Sequence, residues 1–346
     1  MTVNTPKQSD VSIPVIDFAK FDCGSPEDDQ AIGKAMYEAF RDHGFAYIAN
    51  HGIPQGVVDE AFEWNRKFFD LPQAIKGKAP HPPVGWWHRG YSGIGREKVV
   101  QMVFDEASIS ELRKIPDFKE SYEIGRDDDP HTKTPNIWIP EDDLPGFRAF
   151  FTSFFEEGYR LELLLLRAVA IGMGLPSDYF WNFHQAKNNQ IRLLHYPPVQ
   201  ESLLRDGKTE RIASHTDFGT LTLLFQDDVG GLEVEDIHER GKFNPAPYIP
   251  GTVVVNIGDF LMRWSNDHLK STLHRVRAPP LVDNDELSSS ATEKVTRARR
   301  SIPYFVTADP ERIIDCLPGC YGPDNPKKYE PITAGEYVDM RLNATY

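Results

Sequence analysis

Cysteine is scarce in this chain, and nothing about its spacing suggests a framework role. There are three, Cys23, Cys316 and Cys320. The number is odd, and no second Cys or His cluster stands near the last two to complete a zinc site. The expectation is free thiols in a reducing compartment, the cytoplasm. Long apolar runs are missing as well. The greasiest stretch, Leu161 to Gly174, carries Glu162 and Arg167 and is too short to cross a bilayer. The opening residues, Met1-Thr2-Val3-Asn4-Thr5-Pro6-Lys7, lack the apolar segment of a secretory signal. Positive charge is in deficit: 38 Lys and Arg stand against 52 Asp and Glu, a net charge of -14. Such a chain repels phosphate backbones and anionic lipid, so no nucleic acid and no membrane partner is expected. A small-molecule substrate is. The hydrolase elbow Gly-x-Ser-x-Gly is absent. Gly93-Ile94-Gly95 lacks the strand–turn–helix context of a nucleotide loop.

What is present suits a globular enzyme. The chain has 346 residues, of which 40% are hydrophobic and 12% aromatic, enough for a full core. Residues 1–12 read as a loose terminus. A short strand is expected over Ile13–Phe18. A helix follows, with Ser25 as N-cap, Pro26 in its first turn and Gly44 as its stop. Phe45–Ile48 reads as a strand and Gln55–Phe69 as a helix. Residues 80–96, rich in Gly, Pro, Trp and Tyr, read as an irregular loop of the kind that lines sites. Asp127-Asp128-Asp129 lacks calcium-loop spacing and reads as a solvated turn. Pro145–Met173 keeps a three- and four-residue apolar repeat and should be a long core helix. Short strands are expected over Ile191–Tyr196, Leu221–Phe225, Gly231–Val234, Thr252–Asn256, His274–Val276 and Ser301–Val306. Their spacing suggests a sandwich or jelly roll. The charged, Ser-rich stretch Asp283–Ala298 reads as an exposed loop.

Chemistry concentrates in three strings: Ser214-His215-Thr216-Asp217-Phe218-Gly219, Leu273-His274-Arg275-Val276 and Arg299-Arg300-Ser301-Ile302. On a strand, residues i and i+2 share a face, so His215 and Asp217 are expected to aim at one point. His274 would arrive from another strand. Two imidazoles and a carboxylate match the facial triad of non-haem Fe(II) oxygenases, which leaves positions open for a cosubstrate and O2. Arg299 and Ser301 obey the same i, i+2 rule. A guanidinium with a hydroxyl beside it suits a carboxylate, here the distal one of 2-oxoglutarate. His195 and His268 are expected to be a satisfied core residue and a surface turn residue rather than ligands. Two rival readings remain: an iron oxidase that uses no 2-oxoglutarate, and a non-enzymatic receptor, which would not need an intact triad.

These strings, with Gly44-Phe45-x-Tyr47-Ile48-x-Asn50-His51-Gly52-Ile53-Pro54, resemble the isopenicillin N synthase-like family of Fe(II)/2-oxoglutarate dioxygenases along the whole chain. The resemblance implies a mainly β fold, a double-stranded β-helix (jelly roll) core with N-terminal helix and strand support. It divides the chain into an N-terminal region, 13–130, and a helix plus jelly-roll catalytic region, 131–346, in one compact unit. It implies Fe(II) on His215, Asp217 and His274, and 2-oxoglutarate on Arg299, Ser301 and Tyr196, with O2 as oxidant. Within the family, Arg89-Gly90-Tyr91-Ser92, Lys119-Glu120-Ser121-Tyr122-Glu123 and Arg192-Leu193-Leu194-His195-Tyr196-Pro197 are similar to the fungal thymine-hydroxylating and polyketide-tailoring branch. That likeness implies a flat ring substrate, with Asn189 and Arg192 at its polar edge and Phe218 and Phe305 as its walls. Phe218 stands where the thymine enzymes carry Tyr. Hydroxylation is the implied outcome, with ring expansion as the alternative.

Overall fold

The computed structural model describes residues 13–84, 87–96, 117–129, 132–205, 210–278 and 295–345. The expectations for residues 1–12 and for most of 283–298 therefore lie outside the described residues.

Two antiparallel-dominated sheets face one another. The larger has eight strands in the order β1-β2-β10-β7-β12-β5-β4-β3. These are β1 (Val15–Asp17), β2 (Phe45–Ala49), β3 (Gly90–Ser92), β4 (Glu120–Gly125), β5 (Gln190–Tyr196), β7 (Leu221–Gln226), β10 (Thr252–Ile257) and β12 (Arg299–Val306). The smaller sheet runs β6-β11-β8-β9, from β6 (Ile212–His215), β8 (Leu232–Asp236), β9 (Glu239–Pro245) and β11 (His274–Val276). A short pair, β13 (Ile313–Ile314) and β14 (Ile332–Thr333), lies apart. This is a jelly roll.

Helices cover the outer face of the large sheet. In α1 (Pro26–Asp42) a capping box joins Ser25 and Asp28, Pro26 opens the first turn, and Glu27 to Asp29 face the positive helix end. Next come α2 (Gln55–Phe69), one-turn α3 (Gln73–Lys76) and the long α4 (Phe147–Gly172). The buried residues Phe147, Phe151, Phe154, Phe155, Leu161 and Leu165 keep the helical repeat of α4 on the main core, so the expected long helix forms. Short α5 (Glu201–Arg205) and α6 (Asp259–Trp264) follow, and α7 (Ala334–Thr345) closes the chain. None of the helices among the described residues is long and apolar enough to cross a membrane.

A second, smaller core sits between the sheets and includes Phe45, Leu194, Tyr196, Ile212, Val234 and Val276. The site opens beside it. Residues from 13–130 and from 131–346 share the large sheet, since β2 pairs with β10 and β4 with β5.

Three expectations need correcting. The loop over 80–96 contains β3, which pairs with β4, and β4 itself stands where no strand was expected. The Asp127 carboxylate does not simply face water: it accepts bonds from Asn136, Trp138 and Arg148. Finally, β6 ends at His215, so Asp217 is not on a strand at all.

Candidate active site

The smaller sheet presents the two histidines as direct neighbours, because His274 on β11 pairs with His215 on β6. Each ring directs its Nδ1 at the backbone carbonyl two residues earlier. The distances are 2.8 Å from His215 to Ala213 O and 3.2 Å from His274 to Thr272 O. Donation there fixes the tautomer and leaves both Nε2 lone pairs facing inward. Asp217 Oδ1 lies 3.8 Å from His215 Nε2 and 3.7 Å from His274 Nε2. The other carboxylate oxygen accepts from Asn256 Nδ2 at 2.8 Å. All three residues are buried, and their candidate ligand atoms lie within 4.8 Å of one another. Among the described residues no other His, Cys, Asp or Glu group is so placed.

Electrostatics leave this trio ready for a cation. Burial, reinforced by the neighbouring His274, pushes His215 down to about 3, so its ring is neutral at ordinary pH. Burial works against the Asp217 carboxylate, but its polar surroundings, the adjacent His274 and His215 together with the hydrogen bond from Asn256, outweigh that and hold it below its usual range. A neutral His215 ring and an ionised Asp217 carboxylate are protonation states that suit a metal. The donor set, one carboxylate oxygen and two Nε2 atoms on one side of a cavity, fits Fe(II).

The triad opens into a cavity of about 660 Å³ that also reaches Tyr196, Arg299, Ser301, Phe218, Phe305 and Arg192. That volume suits a cosubstrate and a small substrate together. Arg299 is 1% exposed and, among the described residues, has no carboxylate within ion-pair distance, although the charge of Asp227 acts on it from further off. Its Nη1 donates to Ser301 Oγ at 3.2 Å and its Nη2 to Gln226 Oε1 at 3.4 Å. Its guanidinium lies 5.1 Å from the Tyr196 ring centroid. A buried guanidinium cannot shed its proton, so it requires an anion, and the cavity side is where one can enter. A carboxylate of 2-oxoglutarate fits that demand. Sequence reasoning missed a second buried guanidinium here. Arg211 lies over Tyr196 at 5.9 Å and ties Thr296 and Arg297 to the site. Burial and the neighbouring Arg299 draw it down to about 10.

The other end of the cavity is polar on one wall. Arg192 pairs with the fully buried Glu123 at 2.7 Å, and its guanidinium lies 5.5 Å from the Phe305 ring centroid. Gln190 donates to the second oxygen of Glu123 and accepts from Arg89. Arg89 and Gln190 line this wall with Glu123 behind them, and none of the three was expected there. The signal was faint: Gly125 leaves the space that the Arg89 guanidinium fills. Asn189 lines the cavity, but both of its amide hydrogens are spent inside, on Glu162 and on Tyr304 OH, and its oxygen accepts from Thr307 N–H. As an edge donor it is therefore occupied. His195 does point away from the cavity and bonds Glu120 at 2.8 Å.

Comparison with known proteins agrees with this geometry. Residues 13–141 match the family described as non-haem dioxygenase in morphine synthesis N-terminal, and residues 187–308 match the 2OG-Fe(II) oxygenase superfamily. The 2-oxoglutarate-dependent dioxygenase frbA of Dothideomycetidae sp. is 39% identical over 97% of this chain and 98% of its own. The proline hydroxylase buaE of Petromyces alliaceus is 40% identical, over 96% and 98%. The crystal structure of full-length Neurospora crassa thymine 7-hydroxylase with alpha-KG and thymine superposes with a TM-score of 0.85, at 40% identity and over 99% of both chains. The chain belongs to the Fe(II)- and 2-oxoglutarate-dependent dioxygenases, oxidoreductases that use O2.

Proposed function

We propose that this dioxygenase hydroxylates a small flat ring, a thymine-like pyrimidine methyl group or a methylated aromatic polyketide. His215, Asp217 and His274 hold Fe(II), and Arg299, Ser301 and Tyr196 hold 2-oxoglutarate. Bound together with O2, these supply the oxidising power for attack on a C–H bond while 2-oxoglutarate becomes succinate and carbon dioxide. The chain's own part is to orient the ring and keep water out. Phe218 and Phe305 form aromatic walls, and Arg192, braced by Glu123, offers the polar edge. Asn189 braces that edge rather than donating to the ring. Aromatic walls reward a flat partner, and the guanidinium rewards ring oxygens.

The observation that carries the reading is the joint placement of the metal-type trio, the unpaired Arg299 and both phenylalanines around one cavity. The likeness to the Neurospora enzyme bound to thymine supports a pyrimidine, and the fungal tailoring relatives are compatible with a polyketide. The relative named as a proline hydroxylase favours a second reading, a saturated cyclic amino acid. A panel of thymine, uracil, 5-methylcytosine, methylated phenolic aldehydes and L-proline, with Fe(II) and 2-oxoglutarate, separates them. We expect a flat ring to gain one oxygen by mass with equal succinate. Oxidation of L-proline alone would overturn the slot, and ring oxidation without succinate would favour an iron oxidase.

A further inference from the structure

Asp217 stands just beyond the end of β6, so although Asn256 on β10 holds one carboxylate oxygen, the backbone that carries the side chain must be fixed from elsewhere. The holding groups converge on the start of α6. Asp259 N–H donates to Asp217 O at 2.8 Å, and Phe260 N–H donates to Phe218 O at 3.3 Å. The side chain of Thr216, between the two candidate ligands, donates to Asp259 Oδ2 at 2.8 Å. Asp259 is 5% exposed, so its carboxylate needs a counterion. That counterion comes from the far end of the chain. Arg341, on α7 and 2% exposed, donates through Nη1 to the same Asp259 oxygen. Its guanidinium also lies 4.3 Å from the centroid of the Phe218 ring. Tyr337, one turn earlier on α7, accepts from the same Nη1 at 3.3 Å. One cation therefore touches the carboxylate that steadies the metal loop and the ring that follows the metal carboxylate.

We propose that Arg341 is a positioning residue for the metal centre. Through Asp259 the C-terminal helix holds residues 216–218 in place, and through Phe218 it ties that loop to the substrate wall. The same helix lines the cavity with Gly335, Val338 and Asp339, so the wall and the clamp are one element. Without Arg341 the Asp259 carboxylate is left buried and unpaired. It must turn toward water, and that movement disturbs its bond from Thr216. The Asp217 carboxylate then loses its fixed aim at the two Nε2 atoms. Partners of metal ligands act in this indirect way, and their loss weakens metal binding by about 10–100-fold.

The proposal rests on the assignment of His215, Asp217 and His274 to Fe(II). Its test is anaerobic titration of the full-length metal-free protein with Fe(II) at saturating 2-oxoglutarate, read by the metal-to-cosubstrate charge-transfer absorption. No ring substrate is needed. Arg341→Met and Asp259→Asn should each weaken Fe(II) binding about tenfold or more, and Arg341→Lys should recover part of the loss. Met36→Ala, a cavity in the outer core, supplies a comparable loss of melting temperature and should leave Fe(II) binding unchanged. The proposal is overturned if Arg341→Met and Asp259→Asn bind Fe(II) within twofold of the parent, or if Met36→Ala weakens it equally. Where Arg341→Met fails to fold, Asp259→Asn, nearly the same shape, decides alone. His274→Ala separates the two readings: full Fe(II) affinity in that variant sinks the triad itself, whatever Arg341 does.

Discussion

Arg299 and Glu162 face the same difficulty, an ionisable group buried with no ion pair among the described residues, and resolve it in different ways. Arg299 stays ionised and waits for an anion. Truncating one partner of a buried charged pair costs on the order of 2–5 kcal/mol. Arg299→Ala should therefore raise the KM for 2-oxoglutarate at least tenfold and the KM for the ring substrate far less, measured by succinate release. An unchanged KM for 2-oxoglutarate would move the anchor elsewhere. Glu162 is 0% exposed and sits on α4, where it accepts from Asn189. Burial pushes its carboxyl well above the ordinary range. A raised folded-state value means the folded protein binds the proton more tightly than the unfolded chain does. Below the unfolded value nothing is lost; as pH climbs above it, stability falls until the folded value is passed. Glutamine mimics the protonated acid at every pH. Glu162→Gln should thus raise the melting temperature at pH 8, and the gain should shrink on going to pH 5 and vanish below about 4. A gain independent of pH would show that Glu162 is not held neutral. The acid itself was legible as one of two charges, with Arg167, in a greasy stretch of helix. Its bond to Asn189 was not, because 27 residues and a change of element separate them.

Helices and strands were legible where a regular repeat met a plain boundary. The box at Ser25, the Phe repeat of α4 and the apolar runs of β7, β10 and β12 carry their own signals. Strand β4 carries a weak one, since in Glu-Ser-Tyr-Glu-Ile-Gly only Tyr122 and Ile124 make an apolar face, yet all six residues are buried. Its polarity is used on both faces: Glu123 braces Arg192 at the site, and Glu120, on the other face, takes Lys76 and His195. Tertiary demand overrides strand propensity there. Strand β9 is equally silent, being a largely exposed, charged edge. The i, i+2 argument holds for Arg299 and Ser301, both on β12, and fails for His215 and Asp217, since no sequence pattern marks the end of β6. Close approach between elements was also hidden. A Cβ on Gly158 of α4 would run into the ring of Tyr304 on β12, the residue that bonds Asn189. A packed aromatic ring cannot yield as a flexible chain end can. Gly158→Ala is expected to destabilise the protein by about 1–3 kcal/mol in urea unfolding, although alanine favours the helix. A stabilised variant would show that α4 can lift away from the sheet at no cost.

At the scale of the whole molecule, the site is a seam between two sheets. The candidate metal ligands belong to the smaller sheet or to the loop leaving it, whereas Arg299, Ser301 and Tyr196 stand on β12 and β5 of the larger one. Metal alone engages one side of the seam. 2-Oxoglutarate without metal engages chiefly the other, through Arg299. On the proposed assignment, with both present a single small molecule would join the sheets, its oxo acid end toward the metal ligands and its far carboxylate toward the Arg299 guanidinium. Each ligand should then tighten the binding of the other by the same factor, as linkage requires. Binding to the folded state alone stabilises by about 2.7 kcal/mol at a hundredfold excess over Kd. Melting temperatures measured with Mn(II), a redox-quiet stand-in for Fe(II), with 2-oxoglutarate, and with both should therefore be synergistic: the joint shift should exceed the sum of the separate shifts. Arg299→Ala should reduce the joint shift toward that of Mn(II) alone, and His274→Ala should reduce it toward that of 2-oxoglutarate alone. Shifts that simply add in the parent protein would mean that metal and cosubstrate bind without meeting, and the bridge between the sheets would have to be abandoned.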